Sequence, residues 1–260
     1  MFSGGIGSWA AAKRVAERHG TDDLTLLFTD TLIEDADTYR FLVEAAANVG
    51  APLVRIADGR TPWEVFRDVR FLGNARVDPC SKILKRDLAD AWLDEQCDPA
   101  STVVYVGIDW TEAHRFERLA SRREERGGWR YEAPLCEPPL LTKDMLHEWA
   151  AREGLEMQRL YKMGMPHANC GGGCIKMGQG GFARLYHALP ERFKEWEDGE
   201  QAMREHLARD IAILRDRTGG TVTPLTLREL RERLESGGNC DMFDIGGCGC
   251  FVDVEPAEGP

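Results

Sequence analysis

The sequence predicts an α/β fold: a parallel sheet with helices on both faces, then a helical region and a Cys- and Gly-rich tail. Three observations predict it. Short apolar runs alternate with amphipathic segments through the first part of the chain, which is how parallel strands and their crossover helices read. The clearest run, Val103-Val104-Tyr105-Val106, is apolar at every position, as a strand covered on both faces must be. A glycine-rich loop, Phe2-Ser3-Gly4-Gly5-Ile6-Gly7-Ser8, enters helix-forming sequence from Ala10 to Glu17.

In that loop the glycines let backbone approach a ligand. Ser3 and Ser8 add hydroxyls, and the first helical N–H groups point at one spot. The arrangement suits phosphate or another anion. Leu24 to Thr29 reads as a strand, and Glu34 to Val49 as a helix with Phe41, Leu42, Ala45 and Val49 on one face. Pro52 to Ile56 is a second strand and Trp63 to Val69 a short helix. Ser81 to Leu93 is a helix with Ile83, Leu84, Leu88 and Trp92 apolar, and Thr102 to Ile108 a strand. Thr142 is placed to cap a helix carrying Met145, Leu146 and Trp149. Pro190 suits the first turn of a long helix, on which Phe193, Trp196, Met203, Leu207, Ile211 and Leu214 recur at helical spacing. Thr226 and Glu229 have capping-box spacing. The organisation expected is an α/β nucleotide-binding domain over 1–177, a helical region packed on it over 178–236, and the tail over 237–260.

A phosphate loop of this kind normally follows a strand, yet only Met1 and Phe2 precede it. Either the first strand is unusually short or the natural start lies upstream, and the second is preferred.

The formal net charge of −11 argues against a large nucleic-acid footprint, since that affinity comes mostly from Lys and Arg on phosphates. Arg122, Arg123, Arg126 and Arg130 form either a local basic pocket or a solvated helix end. The longest apolar runs are too short to span a membrane. No basic segment followed by an apolar one marks a secretory signal, so the eight cysteines predict metal or redox work in the cytoplasm, not disulfides. Cys170 and Cys174 flank three glycines. Cys248 and Cys250 flank one, with Cys240 just before. Cys80 follows Asp78-Pro79. Cys97 and Cys136 read as ordinary half-buried thiols.

Ser3, Gly4, Gly5 and Ser8 resemble the Ser-Gly-Gly-x-Asp-Ser loop of the PP-loop superfamily, whose members bind ATP or adenylyl-sulfate-type nucleotides. Gly7 stands in place of the family's Asp and Ile6 in place of its frequent Lys. This departs from ATP pyrophosphatase chemistry and suits the sulfonucleotide-reductase branch. Four further segments resemble that branch in the same chain order. They are Thr29-Asp30-Thr31 with Glu34 and Thr38-Tyr39; Cys80 with Lys85, where Ser81 replaces a second cysteine; Val106-Gly107-Ile108-Asp109 with Glu112 and Arg115; and Leu160-Tyr161 through Cys170 and Cys174. The resemblance, from Ser3 to Cys174, is to the phosphoadenosine phosphosulfate reductase-like family, which includes sulfur-incorporation proteins of DNA and tRNA modification.

That resemblance implies a Rossmann-like (HUP) sheet and an enzyme of sulfonucleotide reduction or sulfur transfer. It places an adenine nucleotide on Ser3, Gly4, Gly5, Gly7, Ser8, Asp30, Thr31 and Gly107. It puts a [4Fe–4S] cluster on Cys80, Cys170 and Cys174, with a tail cysteine as fourth ligand or the fourth iron open. Zinc on the same thiolates is the alternative, in a nucleotide-binding module without turnover. Lys82 or Lys85 and Arg115 would neutralise phosphate or sulfate, and Cys250 would be a mobile transfer thiol. Implied partners are the nucleotide, a sulfur- or electron-donor protein, a nucleic-acid acceptor that the net charge does not support, and a second copy in a homodimer.

Overall fold

The computed structural model describes residues 1–217 and 220–247. Its fold is mixed α/β with parallel strand pairs. Helix α1 (Ile6–His19) follows the glycine loop, strand β1 spans Leu26–Asp30 and helix α2 Ala36–Val49. Strand β2 (Leu53–Ala57) pairs in parallel with β1, from Leu26 opposite Leu53 to Asp30 opposite Ala57. Helix α3 (Pro62–Asp68) starts from a full capping box of Thr61 and Glu64. The helix predicted from Ser81 is three pieces: α4 (Pro79–Ser81), a π-helical segment (Lys82–Asp87) and α5 (Leu88–Gln96). Strand β3 (Val103–Tyr105), helix α6 (Ala113–Gly127) and strand β4 (Arg130–Glu132) follow, with β3 parallel to β4. Helix α7 (Lys143–Arg152) is capped by Thr142, and α8 spans Arg159–Lys162.

The single sheet expected from the alternation is two separate parallel pairs among the described residues, β1 with β2 and β3 with β4. Their edges face each other across a gap that Met1 and Phe2 only begin to fill. Phe2 N–H donates to Leu27 C=O (2.7 Å) and the Met1 ammonium to Tyr105 C=O (2.7 Å).

The C-terminal part comprises α9 (Gln179–Ala188), α10 (Pro190–Leu207), an antiparallel hairpin of β5 (Leu214–Asp216) and β6 (Thr223–Leu225), and α11 (Leu227–Glu235). Ile211 and Leu214 do not extend α10 as their spacing predicted. Ala208 takes the left-handed conformation and stops the helix, and Leu214 enters β5. The apolar stripe continued because both residues join the same core as Phe193 and Trp196. That core also holds Phe66, Leu72, Leu160, Cys174 and Ile175, so the C-terminal helices share a core with the α/β part.

Glu200 ties this region together. It is 2% exposed, and one oxygen accepts from Ile213 N–H (2.8 Å), the other from Leu227 N–H (2.7 Å). One carboxylate thereby fixes the approach to β5 and the first turn of α11. Burial pushes its pKa up to about 7. Glu200→Ala leaves two buried N–H groups without acceptors, an expected loss of about 2–6 kcal/mol at 1–3 kcal/mol per orphaned group. The urea midpoint of the variant measures it.

Candidate active site: a loop, a cleft and three cysteines

The glycine loop is shorter than the sequence predicted, because α1 begins at Ile6 and takes Gly7 and Ser8 into its first turn. Gly5 is the N-cap of α1 with no side-chain cap bond. Ser8 N–H and Trp9 N–H return to the Gly5 carbonyl, and Ser8 Oγ donates to it at 2.8 Å. Ser8 therefore braces the first turn. Gly4 has φ of +78°, and a Cβ there would meet Thr38 Cγ2 at 3.1 Å. Gly7 and Gly107 face one another: a Cβ on Gly7 would lie 2.9 Å from the Gly107 carbonyl oxygen, and one on Gly107 2.7 Å from Ser8 N and Cα. Both glycines thus have a packing reason, since they let α1 seat directly on the backbone after β3.

Asp30, at the end of β1, is fully buried. Its carboxylate accepts from Leu32 N–H (2.8 Å), Tyr39 Oη (2.9 Å) and Arg55 Nε (2.7 Å). It holds the β1 exit loop in shape. Thr31 donates to Glu34 Oε1 at 3.0 Å, and Glu34 accepts from Cys170 N–H on its other oxygen. Burial pushes the Glu34 carboxyl up, against the nearby Lys85 charge and these hydrogen bonds.

Cys80, Cys170 and Cys174 face a common cavity. With Thr31, Lys85 and Trp196 they line one cavity of about 20 Å³. Cys170 sits in a left-handed turn (φ 54°), and Lys85 Nζ lies 3.9 Å from its Sγ. Asp78, on the same cavity, pairs with Arg86 (3.8 Å) and Lys176 (3.6 Å), and all three are buried. Lys85 and Lys176 line the same cavity as the three cysteines. Among the described residues no three His, Cys, Asp or Glu side chains are grouped to hold one metal ion. A chain of contacts joins this cavity to the loop. Gly4 packs on Thr38, and Thr38 Oγ1 donates to Ala168 C=O at 3.1 Å, two residues before Cys170.

A cleft of about 420 Å³ opens beyond β3, lined by Asp109 to Glu112, Thr142, Lys143, His167 and Gly247, among others. Strand C-termini are where open α/β sheets bind ligands, and the volume is in the range of small-molecule sites. Arg115 lies one turn behind Glu112 and pairs with it at the cleft edge. It does not line the thiol cavity. Sequence reasoning missed His167. Its Nδ1 is buried without a hydrogen-bond partner, and burial with Lys85 and Lys143 nearby pushes its pKa down to about 4, so the ring is neutral at physiological pH.

The tail returns to this site. Gly178 N–H donates to Ile245 C=O (3.2 Å) and Gly247 N–H to Lys176 C=O (3.4 Å), two residues past Cys174. Cys248 and Cys250 lie outside the described residues. Cys240 is half-buried against the C-terminal core. Cys97 and Cys136 pack in the core around β3, as ordinary thiols do. Of the arginines read as either a local basic pocket or a solvated helix end, Arg123 pairs with Asp90 and Arg130 with Glu132. Lys82 pairs with Asp87 at the surface. Among the described residues no helix is long and apolar enough to cross a membrane.

No protein-family model matches the chain, and no curated protein matches it. Among solved structures it is similar to phosphoadenylyl-sulfate (PAPS) reductase from Candida auris in a phosphate complex. The TM-score is 0.42 at 16% identity, over 63% of this chain and 75% of that one.

Proposed function

We propose that the chain is an adenine-nucleotide-dependent enzyme of sulfur chemistry, a sulfonucleotide reductase or sulfurtransferase. The observation that carries this is the meeting of Cys80, Cys170 and Cys174 around one cavity with Lys85 beside them. The nucleotide's phosphates are held by the N–H groups opening α1 and by Ser3. Its remainder lies in the cleft beyond β3, where Lys143, Thr111 and the unpartnered His167 nitrogen offer polar contacts.

Lys85 holds Cys170 as a thiolate. In the reductase form, that thiolate attacks the sulfur of a sulfonucleotide, the sulfur–oxygen bond breaks, and the nucleotide leaves with the electron pair. Attack by Cys174 on the Cys170 sulfur then expels sulfite and leaves a disulfide. The two thiols supply the two electrons, and a dithiol donor protein restores them. Soft thiolates beside cations also suit an iron–sulfur cluster or zinc. A four-iron cluster would supply electrons or an open iron for sulfide. The cavity, about 20 Å³, has the room of roughly one water, which favours a single ion or sulfur atom over a cluster. Zinc there is the second reading, a nucleotide-binding module without turnover.

The nucleotide part is tested at Gly5. A Cβ there meets only Tyr161 Oη at 3.4 Å and Ser3 Oγ at 3.7 Å, so the fold tolerates a side chain that the phosphates do not. Gly5→Val is expected to keep its melting temperature and lose adenylyl-sulfate and ATP binding in calorimetric titration. Equal affinity in the variant overturns the phosphate role. Iron, acid-labile sulfide and zinc measured after oxygen-free purification, together with turnover, separate the two readings.

A further inference from the structure

In the reductase cycle proposed above, each turnover leaves a disulfide on Cys170 and Cys174. Both sulfurs belong to a sealed segment, since every residue of 170–183 is buried. Part of the seal is the later chain. Gly180 N–H donates to Asp244 C=O (2.9 Å), and a Cβ on Gly180 would lie 2.3 Å from the Met242 carbonyl oxygen, so this cover rests on bare backbone. A donor protein has no path to either sulfur there. Cys80 differs. It is half-buried and lines the same cavity as the pair. The chain that leads to it runs at the surface, with 67–71 and 75–77 exposed.

That connection between α3 and α4 has two sides. Inward, Leu72 shares a core with Cys174 and Ile175, and a Cβ on Gly73 would stand 2.9 Å from Ile175 Cγ1. The loop therefore lies over the segment that holds Cys174. Its shape is fixed by Asn74, whose Oδ1 accepts from Arg76 N–H (2.8 Å) and Val77 N–H (3.0 Å) and whose N–H donates to Val77 C=O (2.8 Å). Outward, Val69, Phe71 and Val77 are exposed, and so are Arg67, Arg70 and Arg76. Residues 69–77 include no acidic side chain, and the adjacent Asp68 is paired with Arg60 (2.8 Å). On a chain of net charge −11 this is a basic patch with apolar residues in it, and arginine and aromatic side chains are what protein interfaces favour. Its charge fits an acidic partner.

We infer that Cys80 is a relay thiol between the buried Cys170–Cys174 pair and an acidic dithiol protein that docks on the 67–77 loop. The inference rests on the reductase reading and says how its electrons arrive. The Cys80 thiolate attacks Cys174 Sγ, the Cys170–Cys174 bond breaks, and Cys170 leaves as a thiolate. Lys85 Nζ, 3.9 Å from Cys170 Sγ, makes Cys170 the better leaving group of the two. The disulfide now joins Cys80 to Cys174. A donor thiolate attacks Cys80 Sγ and Cys174 leaves as a thiolate, so the donor is linked to Cys80. The donor's second thiolate attacks its own linked sulfur and Cys80 leaves. Two electrons have passed from the donor dithiol to the pair, the donor departs as a disulfide, and its two thiol protons balance those taken up by Cys170 and Cys174.

The test starts from the full chain oxidised with diamide and mapped by mass spectrometry without reductant. A disulfide at Cys174, to Cys170 or in exchange to Cys80, is expected. Thiols left unlinked overturn the reductase reading, and the relay with it. An acidic thioredoxin whose resolving cysteine is replaced by serine is then added, and the expected product is a mixed disulfide on Cys80. A mixed disulfide on Cys170 or Cys174, or none while the internal disulfide persists, overturns the relay and leaves the reductase reading standing. Cys80→Ser is expected to keep its Cys170–Cys174 disulfide against intact thioredoxin, and reduction at the wild-type rate overturns the relay again. The docking surface is read with Arg70→Glu, Arg76→Glu. Reduction by thioredoxin at low salt is expected to slow at least about tenfold, as loss of electrostatic steering does, while reduction by uncharged dithiothreitol keeps its rate. An unchanged rate with thioredoxin overturns the docking surface.

Discussion

Gly107→Ala is expected to destabilise the protein by at least about 3 kcal/mol, at the upper end of what overpacking a core costs. The new Cβ would stand 2.7 Å from both Ser8 N and Ser8 Cα and 2.8 Å from Gly7 C. All three are backbone atoms in the first turn of α1, so no rotamer relieves the contact. Either α1 lifts from the end of β3 or the strand recedes. At about 2–4 °C per kcal/mol for a chain of this size, the melting temperature falls by roughly 6–12 °C. Gly247→Ala is the control, since a Cβ there meets nothing within 4 Å. The experiment separates two roles for Gly107. A glycine needed only for ligand access loses nucleotide affinity at unchanged stability, whereas a glycine needed for packing loses stability with no nucleotide present. A variant as stable as wild type would refute the packing role.

The sequence disclosed the frame and the order of the site residues more readily than their contacts. The helix from Ala36 to Val49 and the capping boxes at Thr61 and Thr226 are local, and periodicity with a polar cap defines them. That Cys80, Cys170 and Cys174 line one cavity is in keeping with the order of their motifs, although among the described residues no such group is arranged to hold a metal ion. What stayed hidden depends on partners distant in the chain. Asp30 is locked by Arg55, which reaches it only because β2 lies parallel to β1. His167 gave no signal, since its burial is set by the elements around it. Strand β4 is three residues long, too short for alternation to show. The π-helical turn at Lys82–Asp87 was equally invisible, because the spacing of Ile83, Leu84 and Leu88 fits an α-helix as well. That turn matters, for it carries Lys85 toward Cys170, and wide turns of this kind are frequent at functional sites.

Lys85→Met is the second large expectation, and it addresses the site directly. Lys85 is 5% exposed and lies 3.9 Å from Cys170 Sγ, and its charge also acts on the buried Glu34. Removing the ammonium leaves Glu34 without that compensation, and a loss within the usual range of about 0.5–3 kcal/mol for a single substitution is expected. The pH dependence has a definite sign. Burial already holds the Glu34 pKa above its ordinary value of 4.5, and loss of Lys85 raises it further. A carboxyl with a raised folded-state pKa binds more protons folded than unfolded between its two pKa values, so stability falls as pH rises through that window. The variant is therefore expected to be closest to wild type near pH 4.5 and to fall increasingly behind as pH rises toward neutrality. Melting temperatures across that range measure it. The Glu34→Gln, Lys85→Met double variant has no charge left to bury there and is expected to lose the added slope. If Lys85 also keeps Cys170 a thiolate, the double variant regains stability without regaining sulfonucleotide turnover or thiol reactivity toward a small disulfide. Recovery of both would show that Lys85 serves Glu34 alone, and that the thiol site works without it.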